Sequence, residues 1–279
     1  MRVVIVGAGT MGRGIAEVVA TSGFDVTVVE AVPEARKAAA HEIRTHLERR
    51  HARDPLAPPP EAVLDRIRWT DAMPEDEVSW VIEAVPESRP LKESLFASWD
   101  ALLPPNVWLA SNTSSIAISL IQAKCPHHPE RVGGLHFFNP VPRMALVEIV
   151  RGLDTSDDFV AAAQKLVQEI GKEGIVVPDQ PGFLVNRVAR PYYLEALRMA
   201  EERVADATVI DRVMEGLGFP MGPFRLMDLV GLDINLAVTQ SVWEQTGYDE
   251  RYRPHPWQAA LVARGALGRK TGRGFYRYD

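Results

Sequence analysis

His136 and Glu148 bracket a proline-punctuated stretch, Phe137-Phe138-Asn139-Pro140-Val141-Pro142-Arg143. Short apolar runs flank it on both sides, and neither Pro140 nor Pro142 can continue a central strand, because proline has no N–H to donate. Residues 135–150 therefore read as strand, turn, strand, a path that folds His136 back toward Glu148. An imidazole with one nitrogen held by a carboxylate has a fixed tautomer, and it can take a proton from a substrate through the other nitrogen. An ordinary structural pair has the same two residue types, so this stretch alone leaves both readings open.

A second chemical signal is Gly7-Ala8-Gly9-Thr10-Met11-Gly12. It follows the continuous apolar run Val3–Val6, typical of a parallel strand covered on both faces, and precedes the helical pattern Ile15-Ala16-Val18-Val19. Gly7 permits a tight turn, Gly9 lets a diphosphate approach the backbone, and Gly12 lets helix and strand pack closely. The N–H groups of Thr10 and Met11 open the helix and face the phosphates. The next strand, Asp25–Val29, ends in Glu30, where a carboxylate accepts from both ribose hydroxyls and repels a 2′-phosphate. The expected cofactor is NAD rather than NADP.

Two further strand ends carry polar groups. Val78–Val85 leads into Pro86-Glu87, with Lys92 beyond, and open α/β sheets gather ligands at the carboxyl ends of their strands. Glu87 and Lys92 read as cofactor neighbours or as ordinary helix-start and surface charges. Val107–Ala110 runs into Ser111-Asn112-Thr113-Ser114-Ser115, a loop that can cap the next helix or donate to a substrate oxygen.

These residues need a sheet to present them. Strand patterns over 3–6, 25–29, 67–70, 78–85, 107–110, 132–138 and 175–178 alternate with helices, the longest over 33–53. The fold class is thus α/β, a mostly parallel Rossmann-type sheet with helices on both faces, followed by a smaller all-α domain. The period turns helical after Gln180-Pro181-Gly182, placing a cofactor domain at 1–180 and a helical domain at 181–279. Residues 183–205, 209–217, 224–230 and 232–243 read as helices, and the glycine-rich 267–276 as a docked tail rather than a phosphate loop. Asn186 falls in the first turn after the junction, where it either satisfies local backbone or faces a cleft.

Composition narrows the class. The chain has 279 residues, 46% hydrophobic and 24% charged, with a formal net charge of −6. That balance argues against a general nucleic-acid binder. The basic end of the long helix (Arg44, Arg49, Arg50, His51 and Arg53) reads best as a solvated face, with a phosphate-bearing substrate as the sharper alternative. One cysteine, Cys125, excludes an intrachain disulfide and fits a reducing compartment. No apolar run reaches the ~20 residues of a membrane span, there is no signal-peptide layout, and no metal-ligand spacing appears. A cytoplasmic protein without a metal is expected.

Taken in order, the chain resembles the short-chain L-3-hydroxyacyl-CoA dehydrogenases, including bacterial 3-hydroxybutyryl-CoA dehydrogenases, over nearly its whole length. The motifs that carry the likeness are Gly7–Gly12, Glu83-Ala84-Val85-Pro86-Glu87, Ser111–Ser115, His136–Pro140, Leu146-Val147-Glu148, Pro181–Arg187, Pro220–Phe224 and Gly268–Tyr276. The resemblance implies an NAD-binding domain and a helical domain that makes most of a homodimer contact. It implies that His136 is the catalytic histidine with Glu148 its partner, Ser114 a substrate-contacting serine and Asn186 the active-site asparagine. It places Glu87, Lys92 and Asn139 near the cofactor. The implied reaction passes a hydride between NAD and a 3-hydroxyacyl-CoA. Arg143, Ala145 and the proline-rich 54–60 depart from the family pattern, so no CoA contact carries over. The rival readings are an L-gulonate-type sugar-acid dehydrogenase and a non-catalytic NAD-binding relative.

Overall fold

A computed structural model of the chain describes residues 1–74 and 77–278. It divides into two compact units, Met1–Asp179 and Gln180–Asp279. In the first, the strands are β1 (Arg2–Val6), β2 (Asp25–Val29), β3 (Ile67–Thr70), β4 (Trp80–Glu83), β5 (Trp108–Ser111), β6 (Val132–Phe137), β7 (Leu146–Arg151) and β8 (Glu173–Pro178). Between them run α1 (Thr10–Thr21), α2 (Pro33–Arg53), α3 (Pro60–Leu64), α4 (Arg89–Leu102), α5 (Ile118–Gln122) and α6 (Asp157–Glu169).

The eight strands form one sheet in the order β3-β2-β1-β4-β5-β6-β7-β8. Every neighbouring pair is parallel except β6 and β7, which are antiparallel. Val3, Val4 and Ile5 have no exposed surface, as a strand covered on both faces requires. The chain leaves β1 for β2 and β3 on one side and returns to β4 on the other. The carboxyl ends of β1 and β4 therefore flank the point where the winding reverses, the place where open α/β sheets hold ligands.

Helix α6 lies in a span to which the sequence assigned no element. Ser156 caps it by accepting from the Phe159 N–H at 3.1 Å, and Asp157 and Asp158 occupy its first turn. Phe159 packs edge-on against Trp80 and Trp108, with centroids 5.5 and 5.8 Å away. A Cβ on Gly133 would overlap the Phe159 ring, so glycine at that position of β6 is what lets α6 settle on the sheet.

The second unit is helical: α7 (Val185–Glu201), α8 (Ala207–Gly216), α9 (Pro223–Val230), α10 (Leu232–Gln245) and α11 (Pro256–Ala263). Tyr193, Leu194, Leu197, Ile210, Phe224, Met227 and Leu232 form its core. Helix α7 begins later than its sequence pattern suggests, because Phe183 has φ 49°, outside the helical region. Helix α11 was not anticipated either. The tail docks through the buried Asp228, whose carboxylate accepts from the N–H groups of Phe275 (2.9 Å) and Tyr276 (3.0 Å) and from the Tyr278 hydroxyl (2.8 Å).

Candidate active site

Strands β6 and β7 place His136 directly opposite Glu148. Residues opposed in this way project from the same face of the sheet, and His136 Nδ1 lies 2.6 Å from Glu148 Oε2. The Glu148 side chain has no exposed surface and that of His136 is 8% exposed. A carboxylate can only accept, so Nδ1 carries the proton in this bond and the neutral ring keeps its basic lone pair on Nε2. Phe138 packs against the imidazole with ring centroids 4.5 Å apart.

The serine loop after β5 is joined to the same strand. Asn112 Oδ1 accepts from the Phe137 N–H at 2.8 Å, next in sequence to His136. Glu87 Oε1 accepts from Thr113 Oγ1 (2.6 Å), Ser114 N (3.1 Å), Ser115 N (3.2 Å) and Ser115 Oγ (2.9 Å). Burial alone pushes the Glu87 carboxyl up, but the Lys92 charge and the bonds from Thr113, Lys92 and Ser115 outweigh it and hold the group below the usual range. The Ser114 side chain is half-buried and makes no hydrogen bond to another described residue.

Lys92 is 1% exposed, on the inward face of α4. Its Nζ lies 2.7 and 2.9 Å from the two carboxylate oxygens of Glu83 and 3.1 Å from Glu87 Oε2. Glu83, fully buried at the end of β4, also accepts from Ser111 Oγ (2.6 Å) and Val85 N (2.7 Å). The sequence reading gave Glu83 no role, because its partner Lys92 lies nine residues on, in the next helix, and only the fold brings the two together.

The glycine loop fits a dinucleotide. Gly7 has φ 102°, and a Cβ there would lie 2.7 Å from the Ala84 carbonyl oxygen. A Cβ on Gly12 would overlap the Gly7 carbonyl. Gly9 differs: no protein atom comes within 4 Å of the position of its Cβ. Helix α1 starts there without a side-chain cap, leaving the first N–H groups of Thr10 and Met11 to an anion. Glu30 Oε2 accepts from the Ala8 N–H and Oε1 from the Val32 N–H, each at 3.0 Å. Each oxygen retains a lone pair for a ribose hydroxyl.

Asn139 is exposed in the turn after β6 and shares a cleft of about 180 Å³ with Thr10, Arg13, Glu17 and His46. The structure thus brings together, within the first unit, the glycine loop, Glu30, the serine loop, Asn139 and the His136–Glu148 pair. Asn186 belongs to the second unit, half-buried in the first turn of α7. Of the basic residues near the end of α2, Arg44 pairs with Glu61, while Arg49, Arg50 and Arg53 are exposed, as on a solvated face.

Residues 2–180 match the family described as "3-hydroxyacyl-CoA dehydrogenase, NAD binding domain" and residues 182–278 its C-terminal domain. The chain is 45% identical over 277 residues to a 3-hydroxyadipyl-CoA dehydrogenase of Escherichia coli K12, with 98% of this chain aligned; it spans 58% of that longer protein. It is 40% identical to a probable 3-hydroxybutyryl-CoA dehydrogenase of Deinococcus radiodurans over 100% of both chains. Among solved structures, it superposes on (S)-3-hydroxybutyryl-CoA dehydrogenase from Ralstonia eutropha with a TM-score of 0.94 at 40% identity, covering 100% of this chain and 99% of that one.

Proposed function

Because the chain belongs to the 3-hydroxyacyl-CoA dehydrogenase family, with both family domains matched in order, we propose that it passes a hydride between NAD and a (S)-3-hydroxyacyl-CoA/3-ketoacyl-CoA pair. The observation that carries this reading is the 2.6 Å contact between His136 Nδ1 and the buried Glu148. In the oxidative direction His136 Nε2 takes the hydroxyl proton as general base, and Glu148 stabilises the imidazolium that results. NAD, when bound, supplies the hydride acceptor. Ser114 and Asn186 donate to the substrate oxygen as charge moves, the positioning and electrostatic part of the barrier.

Gly7, Gly9, Thr10, Met11 and Gly12 hold the diphosphate, Glu30 the adenosine ribose, and Asn139 lies beside the cofactor. The Phe137-Phe138 pair favours an acyl-CoA over a sugar acid. A second copy of the chain docks on the helical unit, whose helix α8 and its end leave Val209, Val213 and Leu217 exposed one turn apart. A single buried cysteine supports a cytoplasmic setting; no described helix is long and apolar enough to cross a membrane.

The test is NADH oxidation with acetoacetyl-CoA, compared with NAD reduction by 3-hydroxyadipyl-CoA and by L-gulonate. Turnover of either CoA ester supports the proposal. Turnover of L-gulonate alone moves the chain to the sugar-acid reading, and silence in all three to a non-catalytic one.

A further inference from the structure

We propose that Arg190 is a specificity-determining residue that binds a carboxylate at the far end of the acyl chain, so that the preferred substrate is the CoA ester of a short dicarboxylic acid. The proposal rests on the 3-hydroxyacyl-CoA reading above, with Asn186 on the substrate oxygen.

A missing partner carries the inference. Three Lys and Arg residues are buried among the described residues: Lys92, Arg131 and Arg190. Lys92 faces Glu83 at 2.7 Å, and Arg131 faces Asp100 at 3.4 Å. Arg190 is 3% exposed, and no carboxylate of a described residue pairs with it. Its Nε donates to the Asn186 carbonyl at 3.1 Å, and its Nη1 to the Asn235 carbonyl (3.0 Å) and to Thr239 Oγ1 (2.9 Å). The Tyr193 ring packs against the guanidinium, with its centroid 5.0 Å from Cζ. These groups offer partial charges only. Burial accordingly pulls the Arg190 pKa down to about 10, opposed by Tyr193 alone.

A guanidinium has five N–H donors, and the two on Nη2 reach no described residue. Pinning α7 to α10 needs only the bonds on Nε and Nη1, and a neutral amide would serve at a lower cost in desolvation. A buried cation is costly until an anion completes it, and the planar fork of arginine matches a carboxylate.

Position supplies the chain length. Arg190 stands four residues after Asn186 on α7, so the two side chains share a face about 6 Å apart along the axis. The bond from Nε to the Asn186 carbonyl shows that the guanidinium leans back toward Asn186. With the C3 oxygen of the substrate on Asn186, three further C–C bonds of about 1.5 Å carry the chain roughly 4 Å along that face. In a six-carbon diacid the second carboxylate falls there. A monocarboxylic chain of equal length sets a methyl group against Nη2 and leaves the cation unpaired, which is how the site rejects it.

The experiment compares NAD reduction by (S)-3-hydroxyadipyl-CoA and (S)-3-hydroxyhexanoyl-CoA, equal in length and different only at the far end. The parent should favour the dicarboxylic ester in kcat/KM by about 100-fold or more. In Arg190→Met the ratio should fall to within about 3-fold of unity, and Arg190→Lys, which keeps the charge without the fork, should lie between. A purely structural role would slow both esters alike and keep the parent ratio. That result, or a parent that uses both esters equally well, overturns the proposal; the parent and Arg190→Lys decide it where Arg190→Met does not fold. Calorimetric binding of the unreactive adipyl-CoA and hexanoyl-CoA separates the site from the reaction. Adipyl-CoA bound about 10-fold tighter or more, with the difference lost in Arg190→Met, supports the carboxylate site even where neither hydroxy ester is turned over, and then the dehydrogenase reading alone falls. Equal affinities for the two overturn the carboxylate site and leave the dehydrogenase reading standing.

Discussion

Asn112 accepts a hydrogen bond from the main-chain N–H of Phe137 at 2.8 Å, across the parallel pair of β5 and β6. The loop that carries Ser114 is thereby bonded to the strand end that carries His136. Phe137 is buried, so removing the acceptor leaves a donor that water cannot readily satisfy. Asn112→Ala should cost about 1–3 kcal/mol of stability, read as a lower urea midpoint. It should also lower kcat about 10-fold by loosening the geometry. Asn112→Asp keeps the acceptor and should lose far less; equal losses in the two variants would argue that the bond is unimportant.

Replacing His136 with Ala should reduce turnover by ~10²-fold or more while NADH still binds. Glu148→Gln retains a hydrogen-bonding side chain but removes the charge that stabilises the imidazolium, so its kcat should fall with little change in KM. Near-normal turnover in His136→Ala would remove the general-base assignment.

The glycines of the cofactor loop should separate folding from binding. At Gly9 the backbone has φ −64° and ψ −173°, open to any residue, and an added Cβ meets no protein atom within 4 Å. Gly9→Ala should therefore unfold like the parent while binding NADH about 10-fold more weakly or worse. At Gly12 the added carbon collides with the Gly7 carbonyl, and Gly12→Ala should cost about 3 kcal/mol of stability. Parent-like NADH affinity in Gly9→Ala would contradict the diphosphate assignment.

Glu17 gives a pH signature of its own. Burial raises its carboxyl above the usual value, and the bond to His46 at 2.6 Å together with the charges of His46 and Arg50 offsets only part of that. The folded state thus binds this proton more readily than the unfolded state. The resulting stability is fully present below the unfolded value of about 4.3 and is lost as pH rises through the raised folded value. Glu17→Gln should be more stable than the parent at pH 7, with the difference closing toward pH 4. Urea midpoints across that range decide it, and a difference independent of pH would refute it.

Much of the site was legible because its signals are local. The glycine loop follows its strand directly, Glu30 closes the next one, and the prolines between His136 and Glu148 force the hairpin that pairs them. The parts that escaped depend on distant partners. Lys92 has the sequence of a surface lysine at the start of a helix; only the inward turn of α4 shows that it lies between two carboxylates. Helix α6 was overlooked because Asp157 and Asp158 hide an apolar face that begins with Phe159, and the reason for Gly133 exists only once that ring lies on β6. Phe183 looked helical by pattern, yet its backbone turns left-handed first. Asn186 is singled out by family likeness alone, because no local pattern distinguishes a functional amide from one that serves its own helix.

The docking of residues 275–278 on Asp228 has a consequence for how the protein is made. Asp228 has no exposed surface, and its carboxylate draws donors from Phe275, Tyr276 and Tyr278, some fifty residues later in the chain. Until those residues have left the ribosomal tunnel, closing the helical unit would bury a charge that lacks those donors, which costs several kcal/mol. The first unit can fold during synthesis, whereas the second has to wait for residues 275–278. Chains cut short before Phe275 should accumulate with a folded cofactor unit and a protease-sensitive remainder.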